Sequence, residues 1–87
     1  MPQVNADPEK LRHLARTLSN SSHKLEQLSR EMRRAVDQTD WKDSERAKFD
    51  QDFQQTLRAI TKFGEQIKSQ YVPALNKKAA SLDAYRS

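Results

Sequence analysis

The feature that most constrains this chain is a pair of apolar stripes, in which large apolar residues recur at steps of three and four. This spacing places side chains along one face of an α-helix, whereas a β-strand exposed on one face would need apolar residues at every second position. A short polar stretch containing Trp41, the single tryptophan, separates the two stripes. The pattern therefore predicts two amphipathic helices joined at a tryptophan-bearing turn.

The first helix is expected over about residues 8–36. Asp7 can accept hydrogen bonds from the free amides of the first turn, and Pro8 suits the first helical position. The stripe repeats in heptads and is interrupted at Ser21, where Ser21 and Ser22 suggest either the close approach of another helix or a weak point in the stripe. The stripe residues are Leu11, Leu14, Leu18, Leu25, Leu28, Met32 and Ala35.

The second helix is expected over about residues 44–72, after a turn over residues 37–43. Four polar residues compete to cap it: Thr39, Asp40, Asp43 and Ser44. Its stripe is more aromatic, and Gly64 beside it can allow close packing. Pro73 lacks an amide hydrogen and should kink or end the helix, so residues 73–87 are expected as a kinked or frayed helical tail. The stripe residues are Phe49, Phe53, Leu57, Ile60, Phe63, Ile67 and Tyr71.

Matched helix lengths and a short connection predict a single all-α domain, an antiparallel helical hairpin, preceded by a disordered or extended lead over residues 1–6. Only 34% of the residues are hydrophobic, whereas globular domains have roughly 45–50% apolar residues. Two helices alone would leave part of the aromatic stripe in water, and an exposed apolar strip usually marks an interface. We therefore expect the hairpin to pair into a four-helix bundle. A homodimer is the first expectation, and a heterodimer with a related small helical protein is the alternative.

The sequence offers no constellation for catalysis, cofactor binding or metal binding. There is no cysteine, which removes thiolate nucleophiles and zinc–thiolate sites. His13 and His23 are ten residues apart, which is about 15 Å along one helix, so they cannot share a metal ion. Ser22 and His23 point apart because they are adjacent on a helix, so they do not form a nucleophile–base pair. The chain is expected not to be an enzyme, and no catalytic, cofactor or metal residue is predicted.

The net charge of +4 permits binding to an acidic surface without requiring it. Acidic residues interleave with the basic segment 30–34, and the aromatic residues lie on the apolar stripes, so a nucleic-acid-associated bundle is kept only as an alternative. No apolar run approaches the ~18 residues of a membrane span, and the first residues lack the features of a cleaved signal peptide. We expect synthesis in the cytoplasm, and any secretion to proceed without a cleaved signal peptide.

Trp41 has two interpretations at the turn. Its ring can close the end of the hairpin by folding over Phe49, or it can be presented to another protein, since tryptophan is a strong binding anchor. The residues around it leave both interpretations open, and one does not exclude the other.

Two helices of equal length, a short chain without cysteine and a tryptophan at the turn resemble the Trp-x-Gly (WXG) family, the early secreted antigenic target-like small proteins of type VII secretion. The family pattern has an aromatic residue eight positions after the tryptophan, and Trp41 and Phe49 match it. Asp43 stands where the family has glycine, and a helix-capping aspartate can replace glycine in ending the turn. The resemblance covers about residues 7–71.

The resemblance implies a non-enzymatic protein of a type VII-like secretion system, acting through helix–helix contact as a secreted substrate or an adaptor. Trp41, Asp43 and Phe49 would be its family motif at the turn, and a secretion ATPase or a larger secreted effector would be a further partner. Leu75 stands four residues after Tyr71, where the family's Tyr-x-x-x-Asp/Glu export signal has an acidic residue. A generic helical scaffold or chaperone subunit without export is therefore the first alternative, and a nucleic-acid-associated bundle is the second.

Overall fold

The computed structural model describes residues 6–86, except for the side chain of Arg86, and these residues form a helical hairpin. No strand occurs within this range. The prediction of an all-α helical hairpin is therefore confirmed, while the lead expected over residues 1–6 lies outside the described residues apart from Ala6. The elements are α1 (Pro8–Gln38), α2 (Glu45–Gln66), a π-helical turn (Ile67–Tyr71) and α3 (Val72–Arg86).

Capping chemistry sets both ends of α1. The side chain of Asp7 accepts a hydrogen bond from the Glu9 amide at 2.9 Å, and the Glu9 carboxylate lies at the positive end of the helix dipole. The helix ends at Gln38, two residues beyond the expected end. There Thr39 donates both its amide and its hydroxyl hydrogen to the Val36 carbonyl oxygen, at 3.2 and 2.7 Å.

The second arm of the hairpin, formed by α2, the π-helical turn and α3, runs back along α1 in the opposite direction. Ion pairs near both ends and in the middle join the two arms. The hairpin is 65 Å long but only 20 by 16 Å across. The pairs are Arg12–Asp83, Glu26–Lys68 and Asp37–Arg46.

Small residues form the closest contact between the arms. The buried positions of α1 recur every seven residues, and we call them the contact row: Pro8, Ala15, Ser22 and Ser29. A Cβ placed on Gly64 would meet the Ser22 carbonyl oxygen at 3.9 Å, so the two backbones approach closely here. The close approach expected at Ser22 and Gly64 is confirmed, whereas the large residues of the α1 stripe flank the contact row.

The π-helical turn keeps the buried residues of the second arm on the face that contacts α1. Leu57 and Gly64 are buried seven residues apart, but Ala79 follows after fifteen residues, one more than two heptads. A π-helical turn closes with a hydrogen bond over five residues and so absorbs one extra residue. That bond runs from the Val72 amide to the Ile67 carbonyl oxygen.

The helix continues through Pro73, although it could have ended there. The missing amide hydrogen of Pro73 falls just after the widened turn, where the regular hydrogen-bond ladder is already interrupted. Ala79 and Leu82 are buried, and Asp83 forms an ion pair with Arg12 of α1. The residues after the proline are therefore a packed part of the hairpin.

The hydrophobic core is small for the surface it supports. Its members are Ala15, Leu57, Ile67, Ala79 and Leu82. The chain exposes 6920 Å², whereas a compact protein of 10.1 kDa would expose about 5,300 Å². Its radius of gyration is 19.4 Å, against about 12 Å for a compact domain of this length.

Candidate functional site: the elbow and the open apolar edge

Asp43 joins the tryptophan of the turn to the start of α2. One carboxylate oxygen, Oδ1, accepts a hydrogen bond from the Trp41 indole Nε1–H at 2.7 Å and another from the Glu45 amide at 3.0 Å. The Asp43 carbonyl oxygen also accepts from the Arg46 amide at 3.1 Å. Ser44, the first candidate for the cap by sequence position, forms no side-chain capping bond. The Asp43 carboxylate therefore both caps the helix and holds the indole ring.

The other polar residues of the turn have separate roles. Asp40 has a φ of +55°, the left-handed conformation that aspartate tolerates better than most residues. Its carboxylate also pairs with Lys42 at 3.2 Å. Of the residues expected to compete for the cap, Thr39 closes α1, Asp40 reverses the chain and Asp43 starts α2.

Arg46 fastens the turn to both helices. Its Nε–H is shared by the two carboxylate oxygens of Asp50, at 2.9 Å each, and Nη1 donates to the Trp41 carbonyl oxygen at 2.9 Å. Nη2 reaches Asp37 on α1 at 3.3 Å. Sequence reasoning missed this residue, although an arginine four positions before an aspartate in the first turns of a helix is a recognisable pairing signal.

The turn between α1 and α2, residues 39–44, is called the elbow. Its tryptophan forms a row of three aromatic rings with two phenylalanines of α2. Trp41 and Phe49 have ring centroids 5.2 Å apart with a tilt of 51°, and Phe49 stacks on Phe53 at 5.3 Å and 16°. The fold of Trp41 over Phe49 is thus present, and the half-buried indole keeps a free surface as well. Phe49 remains 38% exposed, so the row has an open side.

The structure divides the stripe residues into three groups by burial. Leu57 and Ile67 are buried, and a second group is half-buried: Leu11, Leu18, Leu25, Met32, Phe53 and Ile60. The third group is exposed, although all of its members except Ala35 are large and apolar: Leu14, Leu28, Ala35, Phe49, Phe63 and Tyr71. Leu28 and Phe63 are 49% and 50% exposed. The hairpin therefore leaves much of both stripes in water.

Helix geometry places these exposed residues on one edge of the hairpin. Leu14 and Leu28 each come one residue before a contact-row position, and Phe63 comes one residue before buried Gly64. In an antiparallel pair of helices, positions with the same offset from the contact lie on the same side, because each residue turns the helix by about 100°. We call this side the apolar edge: Leu11, Leu14, Leu18, Leu25, Leu28 and Met32 of α1 with Phe49, Phe53, Ile60 and Phe63 of α2.

The opposite side, which we call the ionic edge, is closed by charges. Glu26 and Lys68 each lie four residues after a buried position, at Ser22 and Gly64, and they pair with each other across the arms. A hydrogen bond from Lys68, together with its positive charge, lowers the pKa of the Glu26 carboxyl.

The second pair of the ionic edge lies towards the chain ends. Arg12 and Asp83 have the same four-residue offset, from Pro8 and Ala79. The Asp83 carboxylate raises the pKa of the Arg12 guanidinium by accepting its hydrogen bond. The two edges of the hairpin therefore differ in chemistry along most of its length.

The described residues contain no group of three histidine, cysteine, aspartate or glutamate side chains that could hold a metal ion. His13 and His23 are both exposed. Within residues 6–86, no helix is both long and apolar enough to cross a membrane.

Comparison with known proteins gives no relative: no protein-family model, no curated protein and no solved structure matches this chain.

Proposed function

We propose that this chain is a non-enzymatic helical interaction protein, that two copies pair through the apolar edge into a four-helix bundle, and that the pair serves a type VII-like secretion system as substrate or adaptor. The observation that carries the proposal is the apolar edge itself. Large apolar residues from both arms share one side of the hairpin and remain about half exposed, as at Leu28 and Phe63. An uncovered apolar strip of this kind usually marks a contact surface.

A second copy is the simplest occupant of the apolar edge. The chain exposes 6920 Å², about 1,600 Å² more than a compact protein of its mass. A standard interface removes about 800 Å² from each partner, so pairing would cover roughly half of this excess. A two-fold axis would place identical apolar edges face to face, and such an interface is self-complementary by construction.

The secretion setting rests on the resemblance to the WXG family, and the elbow geometry supports that resemblance. The hydrogen bond between Trp41 and Asp43 shows how a chain with aspartate in place of the family's glycine keeps the tryptophan and the helix start together. The aromatic residue eight positions after the tryptophan, Phe49, is the one against which the indole packs. A secretion ATPase or a larger effector would then contact the bundle at the elbows.

The alternative is a helical scaffold or chaperone subunit that is not exported. It is favoured by Leu75, which stands where the family's export signal needs an acidic residue after Tyr71. Export is therefore tested separately from pairing.

Pairing is tested by light scattering on the purified chain. We expect a mass near twice 10.1 kDa for the native sequence. Leu28→Glu places a charge in the middle of the apolar edge and should return the mass to that of one chain. Asn20→Glu adds the same charge at an exposed α1 position two residues before Ser22, away from this edge, and should remain paired. A folded native chain with the mass of one copy would refute the proposed pairing.

Export is tested by the amount of tagged chain in the culture medium of strains with and without the membrane ATPase of the pathway. Secretion that depends on the ATPase would support the substrate role. If the chain stays inside but co-purifies with a secreted protein, the adaptor role stands. If it does neither, only the scaffold alternative remains.

A further inference from the structure

We propose that the ionic edge carries a second docking surface, which takes an acidic segment of a partner protein. The surface lies over the middle of the hairpin, where α1 and α2 run side by side. Five cations border it: Arg30, Arg33, Arg34, Arg58 and Lys62. This site stands on the geometry of one chain and does not depend on pairing or on export.

The five cations share one side of the hairpin. Arg30 and Arg34 lie one and five residues after the contact-row residue Ser29, and Arg58 and Lys62 have the same offsets from buried Leu57. Equal offsets place the two pairs along opposite banks of the same groove, for the reason that places Glu26 opposite Lys68. Arg33 lies between the banks, four residues after Ser29.

These cations differ from Arg12 and Lys68 of the ionic edge because no carboxylate of the described residues lies within ion-pair distance of them, although the charge of Arg30 also acts on the Glu26 carboxyl. The cross-arm ion pairs use Arg12, Arg46 and Lys68. None of the five bordering cations has an ion-pair partner among the described residues, and all of them are exposed. Glu26 also lines the groove, but Lys68 already neutralises its charge. The groove therefore has a surplus of positive charge that an acidic ligand would balance.

The floor of the groove holds an unpaired hydroxyl group. Ser29 is only 6% exposed, and its Oγ is the one buried side-chain polar atom without a hydrogen-bond partner among the described residues. Ser22, on the same contact row, satisfies its hydroxyl by donating to the Ser19 carbonyl oxygen at 2.7 Å. Ser29 lines a small cavity together with Arg30, Arg33 and Thr61. A carboxylate in this cavity would give the Ser29 hydroxyl an acceptor and the guanidinium groups a counter-charge.

The spacing of the cations suits an extended acidic segment. Four residues of helix rise by about 6 Å, which separates Arg30 from Arg34 and Arg58 from Lys62. Alternate side chains of an extended peptide repeat at about 6.6 Å, so carboxylates on every second residue can follow either bank. The residues that line the cavity at Ser29 are Glu26, Ser29, Arg30, Arg33 and Thr61, and none of them carries an aromatic ring on which a base could stack. This arrangement favours carboxylates over a nucleic acid.

The experiment titrates the full-length chain into a fluorescein-labelled hexaglutamate peptide at about 10 mM salt, where the Debye length is about 30 Å. Arg30→Gln with Arg58→Gln removes one cation from each bank, and affinity should fall by about tenfold or more. Lys10→Gln with Lys24→Gln is the matched control. It removes the same charge from exposed α1 positions away from the groove, and affinity should change by less than about twofold.

Ser29→Ala distinguishes a specific binding site at Ser29 from general electrostatic attraction between the peptide and the basic surface. Loss of the hydroxyl should weaken peptide binding by about threefold or more, while the thermal midpoint of the free chain does not fall, because Oγ makes no bond to lose. A lower midpoint would show that the hydroxyl serves the fold instead. Three results overturn the proposal: no binding, equal loss in the lysine control, or tighter binding of a single-stranded oligonucleotide of equal charge.

Discussion

At the scale of single residues, Asp43 explains how the elbow is organised without glycine. A glycine there would offer conformational freedom but no acceptor for the Trp41 indole or the Glu45 amide. The carboxylate supplies both acceptors from one oxygen, and Arg46 then ties the Trp41 carbonyl oxygen to the same helix. The same side chain therefore positions the Trp41 ring and caps the start of α2.

Replacing Asp43 with alanine should loosen the tryptophan and destabilise the hairpin together. Loss of an N-terminal cap and of a hydrogen bond to a charged group should lower the free energy of unfolding by about 1–2 kcal/mol. Trp41 fluorescence should shift to the red and its anisotropy should fall. Asp43→Asn keeps a carbonyl acceptor and should recover part of both effects.

The control is Asp52→Ala. This carboxylate is exposed on α2 and has no ion-pair partner among the described residues, so its loss should change stability by less than about 0.5 kcal/mol. Unchanged Trp41 fluorescence in Asp43→Ala would mean that the indole is held by Phe49 alone.

At the scale of elements, the sequence predicts the helices well and their facing residues poorly. Steps of three and four identify both helices, and Asp7 marks where the first one begins. The pattern also favours large residues as the contact, yet Ala15, Ser22 and Ser29 face the second arm. Apolar periodicity identifies an apolar face, but small residues decide which part of it allows the closest approach. The seven-residue spacing of small residues was the available signal.

The extra residue in the second arm was harder to foresee. Tyr71 continues the heptad spacing from Leu57 and Gly64, yet it is exposed, because the π-helical turn rotates the residues that follow. Whether the helix ends at Pro73 or continues through it depends on the burial of Ala79 and Leu82 against α1. This is a tertiary effect, which local helix propensity does not describe.

Deleting one residue should therefore have opposite effects at two places. Deletion of exposed Gln70 within the π-helical turn, made together with Pro73→Ala, removes the extra residue and leaves Ala79 and Leu82 in phase as a regular α-helix. Deletion of exposed Gln55, in the same Pro73→Ala background, shifts the buried residues after it by about 100°. Each buried leucine or isoleucine displaced in this way should cost about 2–5 kcal/mol.

Urea unfolding followed by circular dichroism distinguishes the two deletions. The Gln70 variant should retain a cooperative transition with a midpoint close to that of Pro73→Ala alone, whereas the Gln55 variant should lose most of its stability. Similar loss in both variants would contradict a phase-correcting role for the π-helical turn.

The ion pair of Glu26 and Lys68 makes hairpin stability depend on pH. The hydrogen bond and charge of Lys68 lower the pKa of Glu26 in the folded chain below its ordinary value of 4.5. The pair therefore stabilises the fold above pH 4.5, and this contribution is lost as the pH falls through the lower folded pKa. Thermal midpoints of the native chain and Glu26→Gln should differ at neutral pH and converge in acid.

Glu65→Gln is the control, because Glu65 is exposed and has no ion-pair partner among the described residues. Its midpoint should follow the native chain at every pH. A constant difference between the native chain and Glu26→Gln down to about pH 2 would mean that the Glu26 carboxylate does not carry the effect.

At the scale of the whole molecule, the two edges of the hairpin differ. The apolar edge leaves large apolar side chains exposed, whereas the ionic edge is bridged by ion pairs within the chain. The core is small and the surface of 6920 Å² is large, so a single chain gains little from its large apolar residues. The ionic edge has its own ion pairs at Glu26–Lys68 and Arg12–Asp83, and it carries surplus positive charge between the Glu26–Lys68 pair and the elbow. Pairing through the apolar edge would leave the ionic edge and its groove on the outside, open to a different partner.

This separation predicts how thermal stability responds to concentration. If the folded state is a pair, each tenfold rise in chain concentration adds about 1.4 kcal/mol to its stability, which should raise the midpoint by about 3–6 °C. Leu28→Glu should unfold at a lower and concentration-independent temperature. The charge variant Arg30→Gln with Arg58→Gln should keep the native concentration dependence, because its residues lie on the other edge. Added salt should preserve the concentration dependence as well, since apolar contacts are not screened. A native midpoint that stays constant across concentrations would contradict pairing through the apolar edge.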